Sequence, residues 1–328
     1  MEYSEFRESV KNSVSMLFKG DEVIIRKVLK NNGVVKDSLS IISERSNVSP
    51  TVYLDSYYEA YKREEMDIQE IASEIYDMYQ ENLRFMNFNV DLFKNFETVK
   101  EKVVYKLINA KTNEELLKDV PHVDVIDLAM VFYCLMDDEI IGGATALIHN
   151  VHMEMWKVTV DDLFNVARKN TPNLLKCELK SMDDVIREIV IEHTPDMVRE
   201  SSDSYILDAV NKDTEELVEK MVADIRRRNP IEMYVLTNEI KLNGAACMMY
   251  EDVLDAFSRK MGNNIYIIPS SIHEVLLVPE FEGICEEELT NMVREVNKCE
   301  VDDVDVLSDH VYYYDHMRKS ILLSKTAG

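Results

Sequence analysis

Four side chains near the C-terminus have the types that acyl-transfer chemistry needs. Ser270, Ser271, His273 and Glu274 stand between two apolar runs in IYIIPSSIHEVLLVP, residues 265–279. A serine becomes a nucleophile when an imidazole within about 3 Å takes its proton and an acid orients that imidazole. Ser271 lies two residues before His273, so in an extended turn their side chains could meet. Asp309 with His310, or Asp252, could supply the acid. The activity would be hydrolase-like, or the handling of a small ligand, with Asn238 as a further polar contact. The local pattern also fits a plain hairpin. There is no GxSxG elbow, and the serines do not begin a helix. Catalytic groups usually come from separate segments. Serines bonded to turn amides, with His273 and Glu274 closing the strand ends, account for the same residues.

Other constellations are weaker. HEVLL lacks the zincin motif's second histidine, because position 277 is Leu277. His149 and His152, in HNVH, lie within an alternation of Leu147, His149, Val151 and Met153 that predicts a strand. A strand would point the two rings to opposite faces, so no metal site is expected, and no cofactor. Thr237-Asn238-Glu239 and Asn243-Gly244 form a polar turn before a helix, where free amides could hold an anion. The glycine pattern of a phosphate cradle is missing, and Asn and Gly serve turn geometry equally well. Tyr53, Tyr57 and Tyr61 recur every four residues, and Tyr313 sits in a run of three tyrosines. Tyrosine buries its ring and keeps a wet hydroxyl, so these four are candidates either for a partner-binding face or for a half-buried core.

The elements that must position these groups read as α+β, with mixed or antiparallel sheets and packed helices. In residues 1–100, Phe6, Val10, Val14 and Leu17 give an amphipathic opening helix, not a signal peptide. Two strands around Asn31-Asn32-Gly33 follow. Ser49 then caps a helix with Pro50 at its first position. A further helix presents Ile68, Ile71, Ile75, Met78 and Tyr79.

In residues 101–203, VVYKLINA is a strand and Thr112 with Glu115 forms a capping box. DLAMVFYCLMD and ATALIHNVHMEMW are strands around Gly142-Gly143. Thr159 caps a helix, and LLKCELKSM is a strand. Residues 204–328 begin with a charged helix, 212–228, ended by Arg226-Arg227-Arg228, where cations suit the helix dipole. A strand over 232–240, one helix from Gly244 to Met261, the 265–279 hairpin, a helix over 286–297 and a last strand pair complete the chain. The three segments share a loose strand–turn–strand–helix order. Turns this short exclude parallel crossovers.

The 328 residues carry a net charge of −25, from 62 acids against 37 bases. Such a chain repels phosphate backbones and anionic membranes at long range. Its expected partners are proteins or small molecules, with no direct nucleic-acid or membrane binding. No run of about 18 apolar residues predicts a membrane span. Five cysteines without a CxxC pair point to a reducing, cytoplasmic setting.

The strings NNGVVKDSLSII, SPTVYLDSYYEAY, YVLTNE, GAACMMYEDVL, IIPSSIHEVLLVP and LSDHVYYYD resemble an uncharacterised bacterial family. It is common in anaerobic gut bacteria and known only as a domain of unknown function. The resemblance covers most of the chain and implies no activity. With no catalytic motif intact, the expected role is a soluble, non-enzymatic interaction or regulatory protein. A hydrolase-like enzyme at Ser270, Ser271, His273 and Glu274 is the alternative, and an acidic nucleic-acid mimic or inhibitor is a third reading.

Overall fold

The computed structural model describes residues 1–43, 51–82, 93–136, 145–189 and 231–324, together with residues 219, 222, 223 and 227. The chain is α+β, and every strand pairing among the described residues is antiparallel. It divides into two compact units. One comprises Met1–Lys100 with Glu154–Trp156, and the other Glu101–Met153 with Lys157–Gly328.

In the first unit, β1 (Glu22–Leu29) and β2 (Val35–Ile42) pair around Asn31–Gly33. Asn32 and Gly33 take the left-handed φ values of 59° and 70° that such a turn demands. β3 (Thr51–Tyr53) pairs with β2. Helices Tyr3–Leu17 and Ile68–Asn82 cover the sheet with Phe6, Val10, Val14, Ile71 and Ile75, all fully buried. Leu17 departs from the expected stripe and is exposed. The helix ends there, and the turned backbone of Phe18 sends that ring into the core against Tyr76 and Tyr79 instead. The cap expected at Ser49-Pro50 lies outside the described residues. The helix it was to open starts only at Asp55, because Thr51, Val52 and Tyr53, two of them β-branched, extend as β3.

The second unit holds two sheets. β4 (Val103–Asn109), β5 (His122–Val125), β6 (Leu128–Leu135) and β7 (Thr145–Leu147) form one, with β6 paired to the other three. The near-continuous apolar run of β6 reflects burial of every residue but the last, Leu135. The other sheet orders as β13-β12-β10-β11-β9-β8. Here β8 is Cys177–Ser181, β9 Tyr234–Asn238, β10 Ile265–Pro269, β11 Val275–Pro279, β12 Tyr312–Asp315 and β13 Ser320–Leu323. Strands drawn from both 101–203 and 204–328 thus share one sheet. Cys134 and Cys247 are buried, and Cys177, Cys285 and Cys299 are exposed.

Three expectations are corrected. The helix after β4 is Glu114–Leu117, and Asn113, not Thr112, stands at its N-cap position. The Asn109 carboxamide accepts from the Thr112 amide and draws that residue into the preceding turn. The second strand expected across Ala144–Trp156 stops at Leu147. Asn150–Trp156 is a helix whose first turn is closed by the His149 amide donating to His152 Nδ1 at 3.0 Å. The helix expected from Gly244 to Met261 is broken. A 3₁₀ stretch, Gly244–Met249, is followed by Asp252 at φ 65°, and only Val253–Met261 is α-helical. Gly142-Gly143 lies outside the described residues. So does the 212–228 helix, apart from residues 219, 222, 223 and 227.

Candidate functional site

The predicted turn forms as a five-residue loop, Ser270–Glu274, between the paired strands β10 and β11. Its polar groups meet backbone more than one another. The Ser271 hydroxyl accepts from the His273 amide at 3.0 Å, the local bond serines favour in turns. Ser270 Oγ lies 3.4 Å from Glu274 Oε1. His273 faces away from both serines. Its Nδ1 accepts from the Asn243 amide at 3.1 Å, which puts the ring proton on Nε2, 3.4 Å from Asp305 Oδ1. Thr237 Oγ1 donates to the His273 carbonyl at 2.8 Å. The imidazole is therefore a strut between the hairpin and the turn after β9, and no serine hydroxyl is bonded to it.

Asn238 serves that same turn. Its Nδ2 donates to Leu242 O at 2.8 Å, and its Oδ1 accepts from the amides of Ile240 and Leu242. Gly244 follows, pressed against the hairpin. A Cβ there would lie 2.5 Å from the His273 carbonyl oxygen and 2.8 Å from the Asn238 amide nitrogen.

Tyr57, Tyr61 and Tyr313 turn toward core clusters. Tyr57 and Tyr61 pack against the core of the first unit, Tyr61 with its ring 5.4 Å from Phe6, and the Tyr57 hydroxyl donates to Glu74. Burial and that carboxylate push the Tyr57 phenol up to about 12. Tyr53 lies under the Lys30 ammonium, 4.1 Å from the ring centroid. Tyr313 stacks edge-on to Tyr266 and donates to Glu280 at 3.0 Å.

Asp309 and His310 are engaged elsewhere. Asp309 accepts from Asn297. His310 joins a cluster centred on Asp127, in the two-residue turn between β5 and β6. Asp127 Oδ2 accepts from Ser308 Oγ at 2.9 Å and pairs with His310 Nδ1 at 2.8 Å, while Oδ1 accepts from the Tyr312 hydroxyl at 2.8 Å. Ser308 and Tyr312 are fully buried. Burial beside this carboxylate drives the Tyr312 phenol far above the ordinary tyrosine range.

The same turn walls a cleft of about 370 Å³ in the second unit. Val125 and Ile126 form one side, Met248–Asp252 with Leu254 and Asp255 another, and Tyr314, Lys319 and Ile321 the third. Ile126, Asp252 and Lys319 all take left-handed φ values, 62°, 65° and 51°. For β-branched Ile126 this is a costly conformation that the surroundings must enforce. Asp255 is 5% exposed. Its Oδ2 pairs with Arg259 and, at 3.0 Å, with the Lys319 ammonium. Its Oδ1 is buried and has no hydrogen-bond partner. Glu251 pairs with Arg168 at 3.0 Å.

Residues 3–316 match the profile of a Family of unknown function (DUF5688). The chain belongs to DUF5688. No curated protein and no solved structure matches it.

In this DUF5688 chain, the strings that carried the resemblance also build the sites. GAACMMYEDVL supplies Met248 to Leu254 of the cleft, IIPSSIHEVLLVP the His273 strut, and LSDHVYYYD the donors to Asp127. The Asp127 cluster and the role of Asp255 escaped sequence reasoning. Asp127 meets partners 181 to 185 residues away, which no local spacing encodes. Asp255 read as one more acid on an amphipathic helix. Its one signal was its place on the buried side of Val253–Met261, beside Leu254 and Ser258. Asp252, considered for orienting an imidazole, instead breaks the helix and lines the cleft.

Proposed function

We propose that this chain is a non-enzymatic interaction protein of the cytoplasm that recognises a partner at the cleft between Ile126, the 248–255 segment and Lys319. The carrying observation is the strained backbone around the cleft: Ile126, Asp252 and Lys319, all lining it, are held at left-handed φ values. Such strain persists only where the surroundings over-determine it, and it gathers at binding sites. Elsewhere in the second unit the groups that suggested chemistry are spent on architecture. His273 uses both ring nitrogens, Ser271 bonds an amide, and Asp127 takes three donors. The hydrolase reading needs a serine on the His273 ring and draws no support from this turn. Among the described residues no helix is long and apolar enough to cross a membrane.

Affinity capture tests the reading. The wild-type chain and a Met249→Glu variant, which places a charge on the half-buried cleft wall, are presented to lysate. A protein retained by the first and lost by the second supports the proposal. Identical captures, or none, overturn it.

A further inference from the structure

We propose that β8 is a homodimerisation edge: two copies of this chain pair antiparallel through Cys177–Ser181 and join their six-stranded sheets into one. This surface is separate from the cleft and does not rest on the reading above.

The backbone limits the register. β8 pairs with β9 on one side, and among the described residues no strand lies on the other. The Glu239 amide donates to the Lys176 carbonyl at 3.0 Å, and the Met182 amide to the Met233 carbonyl at 2.9 Å. These two bonds bracket the strand and fix its alternation. Residues 176, 178, 180 and 182 aim their backbone groups at β9, while Cys177, Leu179 and Ser181 aim their amides away from it. With a two-fold axis at Leu179, its amide and carbonyl meet those of Leu179 in the second copy. The Ser181 amide then reaches the Cys177 carbonyl across the seam.

The side chains select the same axis. Glu178 and Lys180 share one face of β8, where Lys180 pairs with Glu178 at 2.8 Å and with Glu188 at 2.7 Å. In the Leu179 register each Glu178 also faces Lys180 of the other copy, so charges alternate around the axis. A slip of two residues either way sets Glu178 against Glu178 or Lys180 against Lys180, and breaks backbone bonds as well. A slip of one opposes groups already committed to β9. On the other face the exposed Leu179 side chains meet. An edge lysine ordinarily blocks strand addition. Here Glu178, two residues before it, makes the edge complementary to a copy of itself. The far edge of the sheet lacks that property, because β13 has no charged residue to select a register.

Sedimentation velocity on the full chain over a concentration series tests the dimer. Reducing buffer is used because Cys177, Cys285 and Cys299 are exposed. Physiological salt shortens the Debye length to about 8 Å and screens the mutual repulsion of two chains at −25. The expected result is a mass that rises with concentration from 38.1 kDa to twice that value. Lys180→Glu and Glu178→Lys each set like charges together across the seam and should weaken self-association by about tenfold. Mixing the two variants restores opposite charges at both contacts, so the mixture should dimerise as wild type does. Leu179→Pro removes the amide at the axis. That amide faces away from β9, so the thermal midpoint should hold while the dimer is lost.

A wild-type chain that stays monomeric to its solubility limit overturns the inference. So does a dimer that both charge variants form as tightly as wild type, which assigns the contact to another surface. A mixture no more associated than either variant alone overturns it as well, as does a folded Leu179→Pro chain that still dimerises. If Leu179→Pro unfolds, the mixed charge variants decide. Capture at the cleft, read with Met249→Glu, is a separate measurement, and its outcome does not bear on the dimer.

Discussion

A single carboxylate, Asp127, holds the connector before β12 to the turn between β5 and β6. Its three donors differ in what each contributes. Tyr312→Phe deletes one hydroxyl and leaves the carboxylate two partners, so the expected cost is about 1 kcal/mol. Asp127→Ala orphans the Tyr312 hydroxyl in a fully buried site and removes the acceptor for Ser308 and His310, with an expected cost of about 3 kcal/mol. Urea denaturation of both variants separates the two values. Equal losses would mean that Asp127 is not a shared acceptor. The neighbouring Ile126, held left-handed, shows what this anchorage sustains: a strained residue on the wall of the cleft.

At the scale of elements, the segment after β9 is built by close approach. Gly244 has no room for a side chain, with Asn238, Thr237 and the His273 carbonyl all against it. Gly244→Ala should cost about 3 kcal/mol, at the upper end of overpacking penalties. It should also shift the amide resonances of 270–274, because the hairpin must move outward. A thermal midpoint equal to wild type would refute the contact.

The hairpin itself was legible. Ile265–Pro269 and Val275–Pro279 are apolar runs flanking a polar loop, and they pair as their pattern predicts. The cap at Thr159 was equally readable, because the signal is local: its hydroxyl accepts from the Asp162 amide three residues on. What failed was decided by partners distant in sequence or by backbone exceptions. HNVHMEMW alternates like a strand, but the His149–His152 bond and the packing of Trp156 make it a helix. The 244–261 helix looked continuous because Asp252 carries no sequence mark of its left-handed turn. The cleft lay hidden for both reasons. It needs the break at Asp252, the turn at Ile126 and a lysine from the β12–β13 turn, and only folding brings these together.

For the molecule as a whole, tyrosine ionisation sets an alkaline limit. Burial, aided by neighbouring carboxylates where present, pushes Tyr57, Tyr133, Tyr234 and Tyr313 up to about 12. In the unfolded chain a phenol ionises near 10. The folded state keeps these protons while the unfolded state releases them, so their contribution is complete below about pH 10 and is lost as pH climbs toward 12. The ultraviolet titration of phenolate in the native protein should therefore run above that of the chain in guanidinium. Superimposed curves would show the phenols to be solvent-accessible.

The chain's lone tryptophan has a consequence for how unfolding would be watched. Trp156 belongs to the first compact unit, its ring NH bonded to the Phe93 carbonyl at 2.8 Å and its face against Phe93 and Phe96, although it is encoded far beyond residue 100. Indole emission is thus an optical label for that unit alone, blind to the sheets of the second unit. A fragment cut after Lys100 would fluoresce only through its tyrosines.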